Sequence, residues 1–334
     1  MVAMPDIARK IIDALGEPAL IVQNARTLAA NSSARALLGQ AIEGSDVRLA
    51  LRHPDAVQIL LSGEEGDIEL VGIGSPDRSW SLSARSIGNG QMLVRLIDSS
   101  ALRSAERMRT DFVANASHEL RTPLATVIGY AETLAEEGPV ADDLRSRFGT
   151  TIETEARRMQ RIVEDLMSLS RIEADRYRLP DERVDLGEIA RIAVKQASPL
   201  AERRGCRVEI EISEDLPQIA GDFGQLLQMA DNLIGNAIRY GCSERSPVIN
   251  ISVQPAASRV TFMVSDHGEG IAPEHLPRLT ERFYRVDSAR SRDSGGTGLG
   301  LAIVKHIAER HRGTLDIRSE PGRGTQVSVS LPAA

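Results

Sequence analysis

Apolar residues follow three different patterns along the chain, and each pattern predicts a different kind of structure. Over residues 1–100, short apolar runs alternate with turn residues, as in strands joined by tight connections. The predicted strands cover residues 18–22, 67–71, 80–83 and 92–97, and a helix is predicted near residues 32–38. This mixture predicts a small α+β domain at the start of the chain.

The second pattern begins at residue 101, where the apolar period becomes helical. Apolar residues then recur at steps of three and four in two series, one before and one after Gly138 and Pro139. The series are Leu120, Leu124, Val127, Ile128, Ala131 and Leu134, then Phe148, Ile152, Ala156, Met159, Ile162, Leu166, Leu169 and Ile172. They predict a helical hairpin over residues 101–178.

One hairpin can bury only one of its apolar stripes, which leaves much apolar surface in contact with water. Two hairpins from two copies of the chain would cover that surface as a dimeric antiparallel four-helix bundle. We therefore expect a homodimer. The alternative is a hairpin that packs on the flanking domains of its own chain.

The third pattern, over residues 179–334, combines helices with strands that are apolar on one face. Strands are predicted at residues 206–212, 248–253, 259–266, 314–318 and 325–331. Within them, alternate apolar positions share one face, which is typical of a sheet covered on one side by helices. The third region is therefore predicted to be an α/β sandwich, and the whole chain to be multidomain.

Composition limits the classes of function. The chain has 334 residues and a net charge of −7, so it lacks the basic surface of nucleic-acid-binding proteins, and no direct DNA or RNA partner is expected. No run of about 18 apolar residues occurs, so no transmembrane segment is expected. Cys206 and Cys242 lie far apart without a Cys-x-x-Cys motif, which favours a reducing compartment and argues against a disulfide framework or a zinc site.

Candidate chemistry first appears on the hairpin, where His118 is followed directly by Glu119. An imidazole can act as a nucleophile near neutral pH, and an adjacent carboxylate can hold its second nitrogen in the protonated form. The pair therefore has the composition of an activated nucleophile. Considered alone, the pair more often belongs to a solvated face of a helix, because exposed His and Glu residues are common.

A second polar feature lies on a helix that is predicted to start after Asp222 and to end near Tyr240 and Gly241. Its apolar residues fall on one face, and its amide side chains fall on another, followed by a guanidinium. The polar face carries Gln225, Gln228, Asn232, Asn236 and Arg239. Amide oxygens suit a Mg²⁺ ion that phosphates have partly neutralised. The alternative is an ordinary solvated helix face.

The third feature is a set of glycine-rich segments around an acidic residue at the end of a strand. Asp266 is followed by Gly268, Gly270 and Ile271, so a flat ligand could approach the backbone closely while the carboxylate accepts a hydrogen bond from its amine. A polar loop from Asp287 to Ser294 then leads to a second glycine cluster. This cluster, with the N-terminus of a helix near Leu299, could act as a mobile lid that holds phosphates.

Two other nucleotide-binding motifs do not fit the sequence. No Gly-x-x-x-x-Gly-Lys-Ser/Thr motif occurs, which argues against a P-loop. A dinucleotide-binding fold would place its glycine turn directly after a first strand, with an acidic residue about 20 positions later. Here the glycine cluster comes late in the domain and Asp266 precedes it.

These motifs together resemble one family. The run Phe112–Leu124, which contains His118, Glu119, Thr122 and Pro123, resembles the phosphoacceptor box of the sensor histidine kinases. Four further elements occur in the order of that family's catalytic boxes, whose fold is shared with the gyrase and MutL ATPases. They are Asn232 and Asn236; Asp266, Gly268 and Gly270; Glu281, Arg282 and Phe283; and Gly296, Gly298 and Gly300.

The resemblance covers residues 101–331, and within the family the chain resembles the phosphate-regulon subgroup. It implies a catalytic domain over residues 179–334. The pattern of residues 1–100 looks like a PAS sensor domain, whose signal the sequence does not identify. His53 is its only histidine, so a haem ligand there is an alternative to a surface residue. Two departures are mild: Arg239 stands where the family more often has Lys, and His267 fills a variable position.

The resemblance implies a set of roles. His118 would accept the γ-phosphoryl group of ATP, Glu119 would act as base and orient the imidazole, and Thr122 would position water for dephosphorylation of a partner. Asn236 would bind Mg²⁺. The implied ATP-binding residues are Asn232, Asn236, Arg239, Tyr240, Asp266, Gly268, Gly270, Ile271, Phe283, Gly296, Thr297, Gly298, Leu299, Gly300 and Thr325.

The expected partners are ATP, a second copy of the chain and the receiver domain of a cognate response regulator. The expected location is cytoplasmic, either for a whole protein or for the cytoplasmic portion of a membrane-anchored kinase. Two other classes stay open at this point: a non-catalytic nucleotide-sensing scaffold of the same fold, and a dinucleotide-dependent oxidoreductase.

Overall fold

A computed structural model of the chain describes residues 6–136, 140–175, 178–242, 247–286 and 296–334. The chain forms two compact units, Met1–Val113 and Ala114–Ala334. Three predicted features lie outside the described residues: the Gly138-Pro139 connection, the lid loop from Asp287 to Ser294, and Gly295. None of the helices in the described ranges has an apolar stretch long enough to cross a bilayer.

The first unit is an antiparallel sheet flanked by short helices, which confirms the α+β prediction. Its strands lie in the order β2-β1-β5-β4-β3. In chain order its elements are α1 (Asp6–Asp13), β1 (Ala19–Gln23), β2 (Arg26–Ala30), α2 (Ser32–Leu38), α3 (Pro54–Ser62), β3 (Gly66–Val71), β4 (Ser79–Gly88) and β5 (Gln91–Asp98).

Asn31 is a buried polar residue that ties the start of α2 to the sheet. Its side-chain oxygen accepts hydrogen bonds from the backbone N–H of Ala34, at 2.9 Å, and of Ala19, at 3.0 Å. Its amide nitrogen donates to the carbonyls of Ile12, Leu15 and Glu17. Because a buried amide without partners would be costly, these bonds explain why a polar residue is accommodated in this core.

Two long helices, α4 (Ser100–Ala135) and α5 (Asp142–Ala174), form the predicted hairpin. Helix α4 starts in the first unit and continues into the second without interruption at Pro123. The helices are antiparallel, since the rings of Tyr130 and Phe148 lie 4.9 Å apart while Glu119 contacts Arg158. The apolar stripe of α5 is buried at Ile162, Leu169 and Ile172.

The hairpin leaves a second set of apolar side chains exposed in the single chain. Leu124 and Ile128 of α4 are 44% and 47% exposed, and Val163 and Met167 of α5 are 43% and 52% exposed. This agrees with the expectation that one hairpin cannot cover its own apolar surface.

The rest of the second unit is an α/β sandwich, as predicted. Its main sheet has the order β11-β12-β10-β9-β7, in which β7 and β9 are parallel and the other pairs are antiparallel. The elements are β6 (Arg183–Val184), α6 (Leu186–Arg204), β7 (Arg207–Ile212), β8 (Ile219–Ala220), α7 (Phe223–Asn236), β9 (Val248–Ala256), β10 (Arg259–Ser265), α8 (Gly300–Arg310), β11 (Thr314–Glu320) and β12 (Gly324–Pro332).

The core of the sandwich lies between one face of the sheet and the helices. In β10, Val260, Phe262 and Val264 are buried, and the residues between them are half-buried. This is the alternation expected of a strand with one face covered.

Helix α7 differs from its prediction in its last turn. Asp222 caps the helix as expected, since its carboxylate accepts a hydrogen bond from the N–H of Gln225 at 3.0 Å. The α-helix ends at Asn236, however, and residues Ala237–Gly241 continue as a wider π-helical turn. Such π-helical turns are rare in proteins overall, and those that do occur are often found at functional sites.

The expectation that the two cysteines are not joined in a disulfide is wrong. Cys206 and Cys242 form a disulfide, with their Cα atoms 6.0 Å apart. Distance in sequence was a poor guide here, because Arg207 directly after Cys206 pairs in register with Val248 of β9, and this pairing brings the two cysteines together.

Candidate functional site

His118 and Thr122 lie one turn apart on an exposed face of α4. Both side chains are exposed, and the hydroxyl of Thr122 donates to the carbonyl oxygen of His118 at 3.4 Å. Because the imidazole is exposed, an incoming reactive group can approach it from solvent. The structure thus places these two predicted residues side by side on one helix.

Glu119, which follows His118, is held by two guanidinium groups. Its Oε2 atom lies 3.0 Å from Nη2 of Arg158 on α5 and 3.2 Å from Nη2 of Arg285. Both arginine side chains are only 8% exposed. Charge-assisted hydrogen bonds of this kind are shorter and stronger than neutral ones. The carboxylate is therefore oriented by cations from two different parts of the second unit.

Sequence reasoning missed both arginines. One signal was available for Arg158, because it lies four residues before Ile162, which is buried on the inner face of α5. A charged residue on the inner face of a helix indicates a buried partner of opposite charge. No comparable signal pointed from Arg285 to Glu119, which is 166 residues away in the chain.

The amide residues of α7 face the second glycine cluster. A Cβ atom built on Gly300 would lie 2.6 Å from Oδ1 of Asn232 and 3.8 Å from Nδ2 of Asn236. The side-chain amide of Asn232 is anchored by donation to the carbonyl of Gln228 at 2.9 Å. Since a larger residue at position 300 would collide with Asn232, glycine permits this close approach.

Arg239 and Tyr240 lie on the π-helical turn at the end of α7. The Arg239 guanidinium donates to the carbonyl of Gly235 at 3.3 Å, and burial lowers the pKa of Arg239. Tyr240 is 48% exposed. A partly desolvated cation beside the Asn residues would be stabilised by an anionic ligand, which is the physical reason to place phosphates near it.

Asp266 begins the loop after β10 and is fixed by backbone donors. Its Oδ1 accepts from the N–H of Gly268 at 2.9 Å and from the N–H of Thr325 at 3.2 Å. Burial raises the pKa of Asp266, and these two N–H groups oppose that rise. Both bonds use Oδ1, so Oδ2 can accept a hydrogen bond from the amine of a ligand.

Glycines bring three backbone segments together around Asp266. A Cβ atom on Gly268 would lie 2.7 Å from the Cα of Gly241, and one on Gly241 would lie 2.2 Å from the Cβ of Asp266. Gly270 has a φ of +69° and packs on the carbonyl of Glu320. The N–H of Ile271 donates to the Ser319 hydroxyl at 2.8 Å.

Phe283 and the second glycine cluster also pack together. The N–H of Phe283 donates to the carbonyl of Gly298 at 2.9 Å, and Phe283 has a φ of +64°. A phenylalanine in this left-handed conformation carries backbone strain. Leu299 is buried at the start of α8 and donates its N–H to the Thr297 hydroxyl at 3.3 Å.

One face of α5 carries contacts with α7 and with the second glycine cluster. The Thr297 hydroxyl donates to Asp165 at 2.7 Å, and the Ser168 hydroxyl donates to Gln228 at 2.6 Å. Burial raises the pKa of Asp165, and the bond from Thr297 opposes that rise. The positions 165 and 168 are three residues apart and therefore lie on the same helix face.

Further along α5, Glu173 forms an ion pair with Arg282 and lies 3.7 Å from His306. Arg285, which contacts Glu119, also donates to the carbonyl of Gly296. One connection between helix α4 and the second glycine cluster thus passes through Glu119 and Arg285.

Within the described residues, the acidic and imidazole side chains do not form a metal-binding site on their own. Within the described ranges, no group of three or more His, Cys, Asp or Glu side chains is placed to hold a metal ion. A divalent cation at Asn236 would therefore need oxygen ligands from a bound nucleotide, which fits the way Mg²⁺ usually binds with phosphates.

Two family descriptions match the second unit. Residues 108–175 match the His Kinase A phospho-acceptor domain, and residues 221–334 match the histidine kinase-, DNA gyrase B- and HSP90-like ATPase. The first range contains His118, most of α4 and all of α5. The second contains α7, Asp266 and both glycine clusters.

Named relatives agree with these matches. The chain is 39% identical over 247 residues to the phosphate regulon sensor protein PhoR of Pseudomonas aeruginosa, covering 74% of this chain and 55% of the relative. It is 36% identical over 292 residues to the sensor-like histidine kinase SenX3 of Mycolicibacterium smegmatis, covering 83% of this chain and 73% of the relative. The chain thus spans about half the length of the PhoR protein.

Solved structures show the same fold. ShkA in complex with AMPPNP is 29% identical, with a TM-score of 0.50 over 69% of this chain and 46% of that chain. The histidine kinase ThkA, solved with the response regulator protein TrrA, is 19% identical, with a TM-score of 0.54 over 97% of this chain and 98% of that chain. The second likeness concerns the fold alone.

The fold and the site together define a class of protein in which a GHKL-type ATP-binding lobe is joined to a phosphoacceptor hairpin. Within that class, the chain is similar over most of its length to two named sensor kinases, SenX3 and PhoR. The chain belongs to the sensor histidine kinase family.

Proposed function

We propose that this chain is an ATP-dependent protein histidine kinase that phosphorylates itself on His118 and passes the phosphoryl group to an aspartate of a response regulator. One arrangement carries the proposal. An exposed imidazole lies beside a carboxylate that Arg285 links directly to the glycine cluster of the ATP-binding lobe. The proposed acceptor, His118, is thus adjacent to Glu119, which Arg285 connects to the ATP-binding lobe.

The nucleotide would be bound at both ends. The exocyclic amine of adenine would donate to Oδ2 of Asp266, with Gly268, Gly270 and Ile271 allowing the ring to approach the backbone and Thr325 completing the pocket. The triphosphate would lie beside the second glycine cluster. That cluster and its neighbours are Phe283, Gly296, Thr297, Gly298, Leu299 and Gly300. The AMPPNP bound by ShkA supports this assignment.

Mg²⁺ is the proposed metal, with the Asn236 amide oxygen as its protein ligand and Asn232 beside it. When bound, the ion would neutralise charge on the phosphate oxygens. Arg239 and Tyr240 lie at the same end of α7, and the partly desolvated guanidinium of Arg239 would steady the same negative charge.

In the transfer step, Nε2 of His118 attacks the γ-phosphorus in line with the bond to the leaving oxygen. A bond forms from Nε2 to phosphorus, the bond from phosphorus to the β,γ-bridging oxygen breaks, and ADP leaves. Glu119 would accept the hydrogen bond from Nδ1–H and stabilise the positive charge that develops on the imidazole.

The phosphohistidine would then serve as donor to the receiver-domain aspartate of a cognate response regulator. Thr122 has its hydroxyl one turn from His118, where it could position a water molecule for removal of the aspartyl phosphate. The chain would act as a homodimer through its exposed apolar stripe. We place it in the cytoplasm, where ATP is supplied, either alone or as part of a membrane-anchored protein.

Label transfer tests this proposal. Wild-type chain incubated with Mg²⁺ and γ-labelled ATP should gain label that is stable to base and lost in acid, as expected for an N–P bond. His118→Ala should abolish labelling, whereas Thr133→Ala, which removes an exposed hydroxyl from the same helix, should not. Asp266→Asn should abolish it through loss of nucleotide binding.

Thr122→Ala should retain labelling yet slow dephosphorylation of the partner. Nucleotide binding with no labelling of the wild-type chain would instead favour a non-catalytic nucleotide-sensing scaffold. Labelling that persists in His118→Ala would overturn the choice of acceptor.

A further inference from the structure

Cys206 and Cys242 are the only two cysteines of the sequence, and they are joined in a disulfide. Cys206 lies between Gly205, which ends α6, and Arg207, which begins β7. Cys242 directly follows the π-helical turn that ends at Gly241. The bond therefore connects the end of the α7 segment to the start of a sheet strand.

The Cys242 side of this disulfide adjoins the proposed adenine pocket. Its neighbour Gly241 is buried, and a Cβ atom there would lie 2.2 Å from the Cβ of Asp266. A Cβ atom on Gly268 would lie 2.7 Å from the Cα of Gly241 and 3.0 Å from the carbonyl oxygen of Tyr240. The backbone of Tyr240 and Gly241, directly before Cys242, is thus packed on Asp266 and on Gly268.

Among the described residues, the disulfide is a first attachment of this part of the chain to the start of β7. The second is a hydrogen bond from the N–H of Arg207 to the carbonyl of Pro247, at 2.6 Å. Cys242 and Pro247 are therefore both tied to the dipeptide Cys206-Arg207. If the disulfide is reduced, the residues next to Cys242 that pack on Asp266 lose their covalent link to Cys206.

Both sulfur-bearing residues are half-buried, so the bond is open to attack from solvent. A protein that uses ATP works where thiols are normally kept reduced. Disulfides that form in such compartments are usually transient and are often redox sensors. The position and the accessibility of this bond therefore point to exchange chemistry more than to a permanent structural crosslink.

We propose that Cys206 and Cys242 form a thiol–disulfide exchange site that sets the nucleotide affinity of the ATP-binding lobe, with the disulfide form binding more tightly. The inference rests on the proposed function of that lobe. The disulfide holds residues 240–242 against Asp266 before the ligand arrives, and a pre-organised site loses less conformational freedom on binding.

The co-reactants are a low-molecular-weight thiol and its disulfide. In the reducing direction, a thiolate attacks one cysteine sulfur, the S–S bond breaks, and the released cysteine thiolate takes up a proton. A second thiol attacks the mixed disulfide, which frees the other cysteine and leaves the small-molecule disulfide. Two thiols are oxidised as one protein disulfide is reduced, and oxidation is the reverse sequence.

Binding of AMPPNP to the full chain in two redox states tests the proposal. The oxidised form is prepared with oxidised glutathione and the reduced form with excess dithiothreitol, and thiol alkylation followed by mass measurement counts free cysteines in each. We expect the Kd for AMPPNP with Mg²⁺ to be about 3- to 10-fold higher in the reduced form, and to return on reoxidation.

Cys206→Ser and Cys242→Ser are the matched variants. Each should show the Kd of the reduced wild type under both conditions, which separates the effect of the bond from other effects of the reagents. Agreement between the two variants guards against a folding defect in either one.

Three results would overturn the inference. They are an equal Kd in the two redox states with the thiol counts confirmed, a lower Kd in the reduced form, and two free thiols after treatment with oxidised glutathione. Absence of AMPPNP binding in both states would overturn the proposed nucleotide site itself, and this inference with it. The outcomes are therefore distinguishable.

Discussion

Two charged residues of the second unit illustrate how burial acts on single side chains. Arg158 is almost fully buried, but Glu119 provides an opposite charge at 3.0 Å. Asp231 on α7 is half-buried, and burial is the cause that raises its pKa to about 6. The first charge is compensated, whereas the second is a cost to the folded state at neutral pH.

Asp231→Asn should therefore stabilise the chain in a pH-dependent way. The pKa of Asp231 is raised from 3.8 to about 6, so the folded chain binds this proton more tightly than the unfolded chain. Stability falls as the pH rises from about 4 to about 6 and stays low above that range. After allowance for partial exposure, the variant should gain about 1 kcal/mol near pH 8 and nothing near pH 4.

Urea unfolding at the two pH values measures this difference, with the exposed Asp181→Asn as control. A gain of equal size at both pH values would show that the titration of Asp231 is not its origin.

Removal of the buried guanidinium should have the opposite effect. Arg158→Gln leaves the Glu119 carboxylate without its closest cation and should lower the free energy of unfolding by about 2–3 kcal/mol. The adjacent Arg157 forms an exposed pair with Glu153, so Arg157→Gln should change stability by less than about 0.5 kcal/mol. Equal losses in the two variants, measured by urea unfolding, would contradict the structural assignment.

Among the residues of the candidate site, the sequence predicted those that a short local motif identifies. Asp266 was identified because an acid at a strand end precedes two glycines, and the structure places backbone donors on it. The arginine partners of Glu119 were not predicted, since they lie 39 and 166 residues away and only the tertiary fold brings them close. The assigned roles of His118, Glu119 and Thr122 stay predictions.

At the scale of elements, the glycines of the candidate site act as points of close backbone contact. Gly268→Ala would introduce a Cβ atom 2.7 Å from the Cα of Gly241. Because backbone cannot yield as a flexible side chain can, we expect AMPPNP affinity to fall by at least about tenfold, with some loss of stability.

Gly149→Ala on α5 is the control, since a Cβ atom there meets nothing within 4 Å. It should leave binding unchanged and stabilise the helix by about 0.5–1 kcal/mol. Calorimetric titration measures the AMPPNP affinity of both variants. Unchanged binding in Gly268→Ala would remove this loop from the nucleotide site.

Elements with strong periodicity were predicted well, and those with weak local signals were not. Helix α2 was placed correctly, and each strand of the main sheet was located within a few residues. Strand β2 and helix α3 were missed, because β2 contains two alanines and α3 is preceded by His53 without a side-chain cap. The π-helical turn after Asn236 has no sequence signature that propensity can supply.

At the scale of the whole molecule, the exposed apolar stripe of the hairpin is the feature that a single chain does not explain. Replacement of Leu124 and Ile128 together by Glu should convert a dimer into a monomer, because two charges would enter the proposed interface. Sedimentation measures the mass, and AMPPNP binding should persist because the ATP-binding lobe is unchanged. A wild-type monomer at micromolar concentration would contradict the predicted four-helix bundle.

The order of regions along the chain followed from the change in apolar period, from strand-like to helical to mixed. The disulfide could not be predicted in this way. It joins residues 36 positions apart, which the parallel pairing of β7 with β9 brings close together. Similarly, the contacts of α5 with the ATP-binding lobe depend on tertiary packing.

The most direct test of the central claim is to locate the phosphoryl group. Wild-type chain is incubated with ATP and Mg²⁺, digested under alkaline conditions that preserve N–P bonds, and analysed by tandem mass spectrometry. The account predicts one phosphorylated position, His118. A phosphoryl group on any other residue, or none despite measured nucleotide binding, would contradict it.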